Sequence, residues 1–495
     1  MFSIMINLIE NAHKYLDRIA IKSDDSDYTF EQLMKESEKV ALTLLNGRED
    51  LFEARIGFIV SPSFEYVSIQ WGIWRAGGIA VPLCVKHPYN SIKYVIEDTQ
   101  AESIVYSDEY ENLIRPLFED FDLRAVPIKN LKEQKGGLPN VGLDRRAMII
   151  YTSGTTGKPK GVVSTHQNIE AQILSLVRSW QWEKDDHILN ILPLHHVHGI
   201  INMLSCALWS GACCEFLPKY IPEKIFEVFN KKEVNLFMAV PTIYYQLMNY
   251  WEGLPQEEQQ QISSVLQTFR LMVSGSAALP ISTLEKWKEI SGHILLERYG
   301  MTEMGMAISN PYQGERRPGH IGQALTGVTI RIAGDKNETL TNGTVGEIQV
   351  KGSNVFQEYW KKPVATQNSF VDGWFKTGDI AVFENGYYRI LGRNSVDIIK
   401  SGGYKISALE IEEVLRGYPA IKDCGVVGIP DDEWGEIIGA SLILENDQDI
   451  ISELKNWLKD KLPNYQMPRR YIIQDDLPRN VMGKVTKKEL QKLFM

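Results

Sequence analysis

A glycine- and threonine-rich segment of the chain has the composition of a phosphate-binding loop. Residues 151–162 read YTSGTTGKPKGV and directly follow the apolar run AMII at 147–150. Glycine lets backbone N–H groups turn toward an anion, hydroxyl side chains add donors, and lysines supply positive charge. The segment therefore predicts a strand that leads into a loop built to hold phosphate. An ordinary surface turn is the alternative, although turns seldom concentrate donors and cations so heavily.

The loop does not have the spacing of the P-loop of nucleoside triphosphatases. That motif requires four residues between its glycines, and after its lysine a serine or threonine that contacts the metal ion. Here only two residues separate Gly154 from Gly157, and Pro159 follows Lys158. A different kind of nucleotide site is therefore expected.

Further polar segments follow the loop along the chain. They are LPLHHVHG (192–199), SGSAA (274–278), ERYGMTE (297–303), WFKTGD (374–379), LGR (391–393), SGGYK (401–405) and PRNVMGK (478–484). Small residues permit close approach of a backbone to a flat ring, histidines can orient a carboxylate, and a carboxylate is a ligand that Mg²⁺ prefers. A lone histidine, glutamate or lysine is more often a capping or solvated side chain. The SGSAA segment is weak evidence by itself, whereas the position of Glu303 within ERYGMTE favours a functional role.

Taken in order, these segments resemble the signatures of the acyl-adenylate-forming superfamily, which includes acyl-CoA synthetases, luciferases and peptide-synthetase adenylation domains. The matching motifs run from residue 151 to residue 484. The resemblance implies an ATP-dependent acid–thiol ligase that converts a carboxylate and ATP into an acyl-adenylate and pyrophosphate. The acyl group then passes to the thiol of CoA, and AMP is released. ATP, Mg²⁺ and CoA are the implied cofactors.

The resemblance also implies which residues bind the nucleotide. In relatives the tyrosine of ERYGMTE stacks on adenine, the threonine contacts the α-phosphate and the glutamate helps to hold magnesium, which gives these roles to Tyr299, Thr302 and Glu303. Asp379 and Arg393 correspond to the ribose contacts, and their spacing suits two strands of one antiparallel sheet. The full nucleotide-binding set is Thr152, Ser153, Gly154, Thr155, Thr156, Gly157, Lys160, Ser274, Gly275, Ser276, Tyr299, Gly300, Asp379 and Arg393.

The catalytic residues that the resemblance implies are Lys484, His196, Thr302 and Glu303, with Glu303 as the metal ligand. Lys484 would bind the charge that develops between the substrate carboxylate and the α-phosphate, because attack of one anion on another requires a fixed cation. Ser395 takes the hinge position, where relatives carry Asp or Lys. Rotation there would withdraw the lysine after adenylation and turn the CoA-binding segment toward the thiol. That segment comprises Ser401, Gly402, Gly403 and Lys405.

The acyl substrate is less sharply indicated than the reaction. Residues 192–200 contain no acidic side chain, which argues against an amino-acid substrate. The stretches LPLHHVHGIIN, VSGSAALP and ERYGMTEMGMAISNP most resemble malonyl-CoA synthetases, including methylmalonyl-activating enzymes, in which the arginine of ERYGMTE pairs with the distal carboxylate. This implies an acyl-binding set of His196, Gln246 and Arg298. Because Gln246 stands where a second basic residue is expected, a short- or medium-chain monocarboxylate is the alternative substrate.

Two other functions are compatible with the motifs. A stand-alone adenylating enzyme could load the phosphopantetheine of a carrier protein instead of free CoA, and a non-catalytic nucleotide-binding protein could retain the same fold. The presence of Glu303, Asp379, Arg393 and Lys484 argues against the second.

Composition agrees with a globular protein that acts on small molecules. The chain has 495 residues, more than one core usually supports, and a formal charge of −10 without a long basic run, so nucleic acid is not an expected partner. The most apolar stretch, 56–83, is interrupted by Glu65, Gln70 and Arg75, and predicts no membrane span. The N-terminus lacks the basic start of a signal peptide, and the five cysteines form no C-x-x-C pair. A cytoplasmic location is therefore expected.

The surrounding sequence predicts α/β domains that would position these segments. A strand at 56–60, a helix at 64–75 and a strand at 78–82 form one unit, and the alternation returns after residue 187, so helices should pack on parallel sheets. Short strands with glycine turns after residue 327 predict a small β-rich subdomain, and an α+β pattern with helices at 408–416 and 451–462 follows. We expect a large α/β N-terminal domain, residues 1–393, that binds ATP and the acyl group. Residues 394–495 should form a small mobile α+β C-terminal domain with the catalytic lysine.

Overall fold

The structure is a computed structural model that describes residues 6–23, 26–152, 158–217, 219–402, 404–446, 450–479 and 485–495. Some of the predicted site residues lie outside this described part of the chain. They are Ser153, Gly154, Thr155, Thr156, Gly157, Gly403 and Lys484, together with the side chain of Lys405.

The strands are numbered in chain order. They are β1 (Ile19–Ser23), β2 (Ser26–Thr29), β3 (Arg55–Ile59), β4 (Ile79–Pro82), β5 (Ser103–Tyr106), β6 (Arg124–Pro127), β7 (Arg146–Thr152), β8 (Lys160–Thr165), β9 (His187–Asn190), β10 (Cys213–Phe216), β11 (Leu236–Ala239), β12 (Leu271–Ser274), β13 (Leu296–Met301), β14 (Gly305–Ser309), β15 (Gln323–Ala324), β16 (Val328–Ala333), β17 (Gly346–Gly352), β18 (Glu358–Tyr359), β19 (Phe370–Val371), β20 (Trp374–Glu384), β21 (Tyr387–Arg393), β22 (Ile398–Ser401), β23 (Tyr404–Ser407), β24 (Ile421–Asp431), β25 (Gly435–Leu444) and β26 (Arg470–Ile473).

The α-helices are numbered in the same way. They are α1 (Asn7–Ala12), α2 (Phe30–Leu45), α3 (Phe64–Arg75), α4 (Tyr89–Thr99), α5 (Glu111–Ile114), α6 (Leu117–Asp120), α7 (His166–Ser179), α8 (Cys206–Ser210), α9 (Pro222–Asn230), α10 (Pro241–Glu252), α11 (Gln256–Leu266), α12 (Ile281–Ser291), α13 (Pro363–Asn368), α14 (Ala408–Arg416), α15 (Ile451–Lys459) and α16 (Lys487–Lys492). A π-helical segment, His198–Ser205, precedes α8. Short 3₁₀ turns lie at His13–Tyr15, Asp108–Tyr110, Ile128–Asn130 and Asn464–Gln466.

Two α/β sheets make up the larger part of the molecule. The first has the strand order β15-β14-β13-β12-β11-β9-β10-β1-β2. Within this order, the neighbouring strands from β13 through β12, β11, β9 and β10 to β1 are parallel. The second has the order β18-β8-β7-β4-β3-β5-β6. Helices α2 and α3 pack against each other in a core that the two sheets share. The prediction of helices packed on parallel sheets is therefore confirmed.

Two smaller sheets follow the α/β sheets along the chain. An antiparallel sheet has the order β16-β17-β20-β19, with β21 paired to β20, and forms the predicted β-rich subdomain. The C-terminal sheet has the order β23-β22-β25-β24, with β26 on β25, and packs with α14 and α15 around its own core. The fold class predicted from the sequence is confirmed, whereas the boundary between residues 393 and 394 stays a prediction.

Most predicted elements lie within a few residues of the observed ones. The helix predicted at 64–75 and the helix predicted at 408–416 have the observed limits. The helix predicted at 451–462 is shorter and ends at Lys459. Among the described residues, no helix is long and apolar enough to cross a membrane.

Strand β7, which leads to the phosphate-binding loop, is anchored inside its sheet between β4 and β8. Trp74, fully buried on α3, donates its indole N–H to the carbonyl of Ala147 at 2.8 Å. Just before the strand, Arg145 pairs with Asp50 at 2.6 Å. Helix α3 thus fixes the strand from one face, and an ion pair fixes the residue that precedes it.

The strands on either side of the phosphate-binding loop are antiparallel neighbours. Thr152, the last residue of β7, lies opposite Lys160, the first residue of β8. In a P-loop the glycine-rich turn opens a helix instead. The antiparallel strands therefore agree with the conclusion, drawn from the residue spacing, that this loop is not a P-loop.

Replacing Trp74 by Phe should destabilise the N-terminal domain by about 1–3 kcal/mol, because the buried carbonyl of Ala147 would lose its donor. Urea unfolding followed by far-ultraviolet circular dichroism measures the change. An unfolding transition identical to that of the parent protein would contradict the anchoring role of the indole.

Candidate active site

A cleft of about 610 Å³ lies where the ends of several strands meet. Its lining consists of Thr152, Lys160, His196, Val197, His198, Ser276, Arg298, Gly300, Met301, Thr302, Glu303, Met306, Tyr359, Phe375, Lys376, Thr377, Gly378, Arg393, Asn394, Ser395 and Lys400. The predicted site residues among them are Thr152, Lys160, His196, Ser276, Arg298, Gly300, Thr302, Glu303, Arg393 and Ser395. The fold therefore brings segments that are far apart in the sequence to one cleft.

The predicted ribose contacts are direct partners across two strands. Asp379 on β20 lies opposite Arg393 on β21, and the antiparallel pairing expected from their spacing is confirmed. Arg393 donates from Nε to Oδ1 of Asp379 at 2.8 Å, and the hydroxyl of Tyr299 donates to Oδ2 at 2.6 Å. Asp379 and Tyr299 are buried just behind the cleft lining. The carboxylate is held in one orientation by both of its oxygens.

Glu303 brings a carboxylate to the cleft next to the hydroxyl of Thr302. Its Oε1 accepts a hydrogen bond from the hydroxyl of Tyr359 at 2.8 Å. In the described part of the chain, no group of three or more His, Cys, Asp or Glu side chains could hold a metal ion by itself. A hard cation such as Mg²⁺ takes oxygen ligands, and beside phosphates it usually needs only one or two protein carboxylates. This donor set therefore fits Mg²⁺ bound together with a nucleotide.

The histidine segment is held by a hydrogen bond from helix α3. The hydroxyl of Tyr66, on α3, donates to the carbonyl of Leu194 at 2.5 Å. His196 and His198 line the cleft, whereas His195 does not. Burial lowers the pKa of His195 to about 3, and burial together with the charge of Arg298 lowers the pKa of His198 well below its usual value. Both rings are therefore neutral near pH 7.

Arg298 is a buried cation at the inner wall of the cleft. Its side chain is 4% exposed, and burial lowers the pKa of its guanidinium to about 9. It donates from Nη2 to the hydroxyl of Ser276 at 3.3 Å, while its buried Nε has no partner. Among the residues that the structure describes, no carboxylate pairs with it. A Cβ added to Gly275 would lie 2.5 Å from the guanidinium carbon, so only glycine leaves room for this arginine.

Gln246, predicted to bind the acyl group, is not among the residues that line the cleft. Gln246 lies on α10, whose buried residues are Pro241, Tyr244, Leu247 and Met248. Helical periodicity turns position 246 away from that buried side, and its side chain is exposed. The position of a residue within one short motif does not show which side of helix α10 faces the cleft.

The lining also includes residues that were not predicted from the sequence, among them His198, Lys400 and Tyr359. His198 belongs to the histidine segment 192–199, in which the resemblance assigned a role only to His196. Lys400 directly precedes the SGGYK segment, and this neighbouring position is the sequence feature that could have identified it as a cleft residue. Tyr359 lies in the sequence EYW, which carried no signal of a site.

The C-terminal unit, which consists of the C-terminal sheet with α14, α15 and α16, reaches the cleft through strand β22. Lys400 on this strand lines the cleft, and the next residue, Ser401, begins the SGGYK segment. Ser401 is buried on β22, and the backbone N–H of Gly402 donates to the carbonyl of Trp434 at 2.9 Å. Trp434 is partly exposed, and the guanidinium of Arg469 lies 4.2 Å from the centroid of its ring. Tyr404 stacks on Tyr465 at 4.6 Å between centroids, and both rings are exposed. We call Tyr404, Trp434, Tyr465 and Arg469 the aromatic surface.

Two carboxylates of α14 connect the C-terminal unit to the larger one. Glu410 pairs with Arg389 on β21 at 2.6 Å. Glu413 accepts the backbone N–H of Ile281, the first residue of α12, at 3.1 Å. These contacts hold Lys400 at the cleft.

Glu297 lies on β13 next to Arg298 but is not part of the cleft lining. It is 8% exposed, and burial raises the pKa of its carboxyl to about 8. Its Oε1 accepts the backbone N–H of Gly319 at 3.3 Å. The carboxyl is therefore largely protonated at neutral pH and does not neutralise the arginine beside it.

Comparison with protein-family models gives two matches. Residues 8–360 match the model described as AMP-binding enzyme, and residues 410–484 match the AMP-binding enzyme C-terminal domain.

Curated relatives match nearly the whole chain. The mitochondrial malonate–CoA ligase ACSF3 of Xenopus laevis is 42% identical, over 99% of this chain and 92% of the relative. The human protein of the same name is 43% identical over 97% and 90% of the two chains. The malonate–CoA ligase of Arabidopsis thaliana is 39% identical over 96% and 86%.

Solved structures share the fold. The crystal structure of ATP-bound MatB from Rhodopseudomonas palustris matches with a TM-score of 0.90 and 31% identity, over 99% of each chain. The o-succinylbenzoate CoA synthetase of Bacillus subtilis, in complex with the acyl-adenylate intermediate OSB-AMP, matches with a TM-score of 0.86 and 26% identity, over 98% and 97%.

Glu297→Gln should make the protein less sensitive to alkaline pH. The pKa of Glu297 is raised in the folded state, so its contribution to stability is complete below pH 4.5 and is lost as the pH rises toward about 8. Over that interval the parent protein should lose up to about 1.4 kcal/mol per pH unit relative to the variant. Urea unfolding of both proteins at pH 5, 7 and 9 measures the difference. Parallel pH profiles would show that the carboxyl is not buried in protonated form.

Proposed function

Because this chain belongs to the AMP-binding enzyme family, we propose that it is an AMP-forming CoA ligase whose acid substrate is malonate or methylmalonate. The observation that carries the choice of acid is the buried guanidinium of Arg298, which lines the cleft without a carboxylate partner in the described chain. The names of the relatives, malonate–CoA ligases of animals and a plant, point to the same acid.

Charge favours a dicarboxylate over a monocarboxylate. An unpaired buried cation is costly, and an anion that pairs with it bidentately removes much of that cost. The distal carboxylate of malonate would lie against Arg298 and Ser276, with the neutral ring of His198 beside them. A short monocarboxylate would leave the guanidinium without a counter-charge, and a site with an unpaired polar group rejects such an analogue strongly.

The nucleotide would lie along the rest of the cleft. We assign the ribose to Asp379 and Arg393, the adenine to the side of Tyr299, and the phosphates to Thr152, Lys160 and the loop that precedes Lys160. Thr302 lies at the α-phosphate in this arrangement. Glu303 would hold Mg²⁺, which when bound neutralises part of the phosphate charge.

In the first half-reaction, an oxygen of the reacting carboxylate forms a bond to the α-phosphorus. The bond from that phosphorus to the bridging oxygen breaks, and pyrophosphate leaves with the electron pair. Both reactants are anions, so the work of the protein is positioning and charge neutralisation. His196 lies at the acyl side of the cleft, and we retain Lys484 as the cation that binds the developing charge.

The second half-reaction transfers the acyl group to CoA. The sulfur of CoA forms a bond to the carbonyl carbon, the thiol loses its proton to solvent, and AMP leaves. Lys400 of the C-terminal unit lines the cleft, and we propose that the orientation of this unit in the structure suits that step. We propose that CoA enters past Ser401 and Gly402, with its base on the aromatic surface. Exposed aromatic rings suit a stacked base, and an arginine suits a phosphate beside it.

The acceptor and the location follow from the same proposal. Free CoA is the acceptor named for the relatives, and loading of a carrier protein is an outcome that the experiments below can detect. The cytoplasmic location expected from the sequence stays a prediction, since the vertebrate relatives are named as mitochondrial proteins.

The first experiment measures pyrophosphate release with ATP, Mg²⁺ and a panel of acids. Malonate and methylmalonate should be the best substrates, and products should be AMP and pyrophosphate. Arg298→Met should lower kcat/KM for malonate by about a hundredfold to a thousandfold, because breaking a buried charge pair costs about 3–5 kcal/mol. The kcat/KM for propionate, which lacks the distal carboxylate, should fall only slightly in this variant.

The control for that experiment is Gln246→Arg. This variant should leave kcat/KM for malonate and for propionate unchanged, because the side chain of Gln246 is exposed. An equal loss for malonate and propionate in Arg298→Met would show a structural role for the arginine. ADP and phosphate as products would exclude the proposed reaction altogether.

The two half-reactions should respond to different lysines. Lys484→Ala should abolish adenylation and largely spare CoA transfer from preformed acyl-AMP, whereas Lys400→Ala should slow the transfer at least tenfold and largely spare adenylation. Quenched-flow measurement of each half-reaction, with CoA and with a phosphopantetheine carrier as acceptors, checks both. Equal effects of either variant on the two steps would contradict the assigned division of roles.

A further inference from the structure

Tyr359 connects two parts of the cleft that the proposed function treats separately. Its hydroxyl donates to Oε1 of Glu303 at 2.8 Å. The ammonium of Lys160 lies 4.8 Å from the centroid of its ring. One tyrosine therefore contacts both the carboxylate assigned to the metal ion and the lysine assigned to the phosphates.

The ring is held in place by the backbone segments of both partners. Tyr359 is the second residue of β18, which pairs with β8, the strand that begins at Lys160. The next residue, Trp360, donates its N–H to the carbonyl of Gly161 at 2.8 Å. On the other side, Phe356 packs on the tyrosine ring at 4.8 Å and donates its N–H to the carbonyl of Glu303 at 2.6 Å. The distance between Lys160 and Glu303 is thus set through this short segment.

The chemistry of the phenol suits a fixed donor. Its hydroxyl carries one proton, and in the structure that proton is donated to Oε1 of Glu303. A hydrogen bond to one carboxylate oxygen sets the direction in which the other can reach a cation.

The ring suits the lysine equally well. In the part of the chain that the structure describes, no carboxylate pairs with Lys160. An aromatic face attracts an ammonium by about 0.5–2 kcal/mol without neutralising its charge. The charge of Lys160 therefore stays available for phosphate, whereas a carboxylate partner would compete with the nucleotide.

We propose that Tyr359 is a positioning residue that orients Glu303 for Mg²⁺ through its hydroxyl and places Lys160 against the phosphates through its ring. The proposal rests on the proposed function, because it presumes that MgATP is the nucleotide bound in the cleft.

The hydroxyl is tested with Tyr359→Phe, which keeps the ring. Isothermal titration should show MgATP binding weakened about tenfold, as expected for loss of a group that orients a metal ligand, with binding of ATP in EDTA unchanged. The Mg²⁺ concentration for half-maximal pyrophosphate release should rise by a similar factor at saturating ATP. Equal binding of MgATP by variant and parent would overturn the role of the hydroxyl.

The ring is tested with Tyr359→Leu. This variant should weaken binding of ATP in EDTA about threefold to tenfold in addition to the metal effect, since Lys160 loses its aromatic support. An unchanged affinity for metal-free ATP, in a variant with the circular dichroism spectrum of the parent, would overturn the role of the ring.

A matched control is Tyr89→Phe, which removes another tyrosine–carboxylate hydrogen bond, to Asp120 at 2.7 Å, away from the cleft. It should change neither titration. If Tyr359 acts through the carboxylate, Tyr359→Phe should add little to Glu303→Gln, whereas additive losses would overturn the proposal. Failure of the proposed function would differ, because the parent protein would then release no pyrophosphate in response to any acid.

Discussion

The buried guanidinium of Arg298 is the constraint around which the cleft is organised. A cation that is 4% exposed and has no carboxylate partner in the described chain raises the free energy of the empty site. The neighbouring carboxyl of Glu297 does not relieve this, since burial raises its pKa to about 8 and keeps it protonated at neutral pH. In the proposed function this cost is offset when the distal carboxylate of the acid pairs with the guanidinium, so the folded protein would favour a dicarboxylate before any substrate binds.

Side chains of strand β13 reach different parts of the site, because successive residues of a strand point to opposite faces of the sheet. Arg298 faces the acyl side, Tyr299 reaches Asp379, and Thr302 and Glu303 follow at the end of the strand. The pairing with β14 is irregular between Tyr299 and Gly300. A Cβ at position 300 would lie 2.0 Å from the carbonyl oxygen of Gly305, so only glycine allows the turn of the chain toward the phosphate side. Strand β13 and the two residues after Met301 thus carry Arg298, Tyr299, Thr302 and Glu303, the residues proposed to contact the acid, the adenine, the α-phosphate and the metal ion.

Positive charge in the cleft is kept available by different means at different places. Lys160 lies on an aromatic ring, and Arg298 is enclosed by small polar residues. Arg393 is the exception, because it pairs with Asp379 and becomes part of a fixed ribose platform. Lys400 belongs to the C-terminal unit, and its place at the cleft depends on contacts of α14 with Arg389 and α12. Rotation of that unit would exchange this lysine without disturbing the others.

The amino-acid sequence by itself determined the reaction class, the fold class and about half of the residues that line the cleft. It could do so because contiguous motifs such as ERYGMTE carry a strand, a turn and several polar groups at fixed spacing, and local geometry then settles their order. The pairing of Asp379 with Arg393 followed from spacing for the same reason.

Only the tertiary structure decided which side chains outside the motifs share the cleft. Gln246 occupies a promising position in its motif but lies on the exposed side of α10, because the buried stripe of that helix is set by packing against its neighbours. Tyr359 carries no local signal, and its contacts arise because a two-residue strand pairs with β8 beside Glu303. Burial of Arg298 likewise depends on sheets and loops that surround it, since desolvation is a property of the assembled core and not of any one segment.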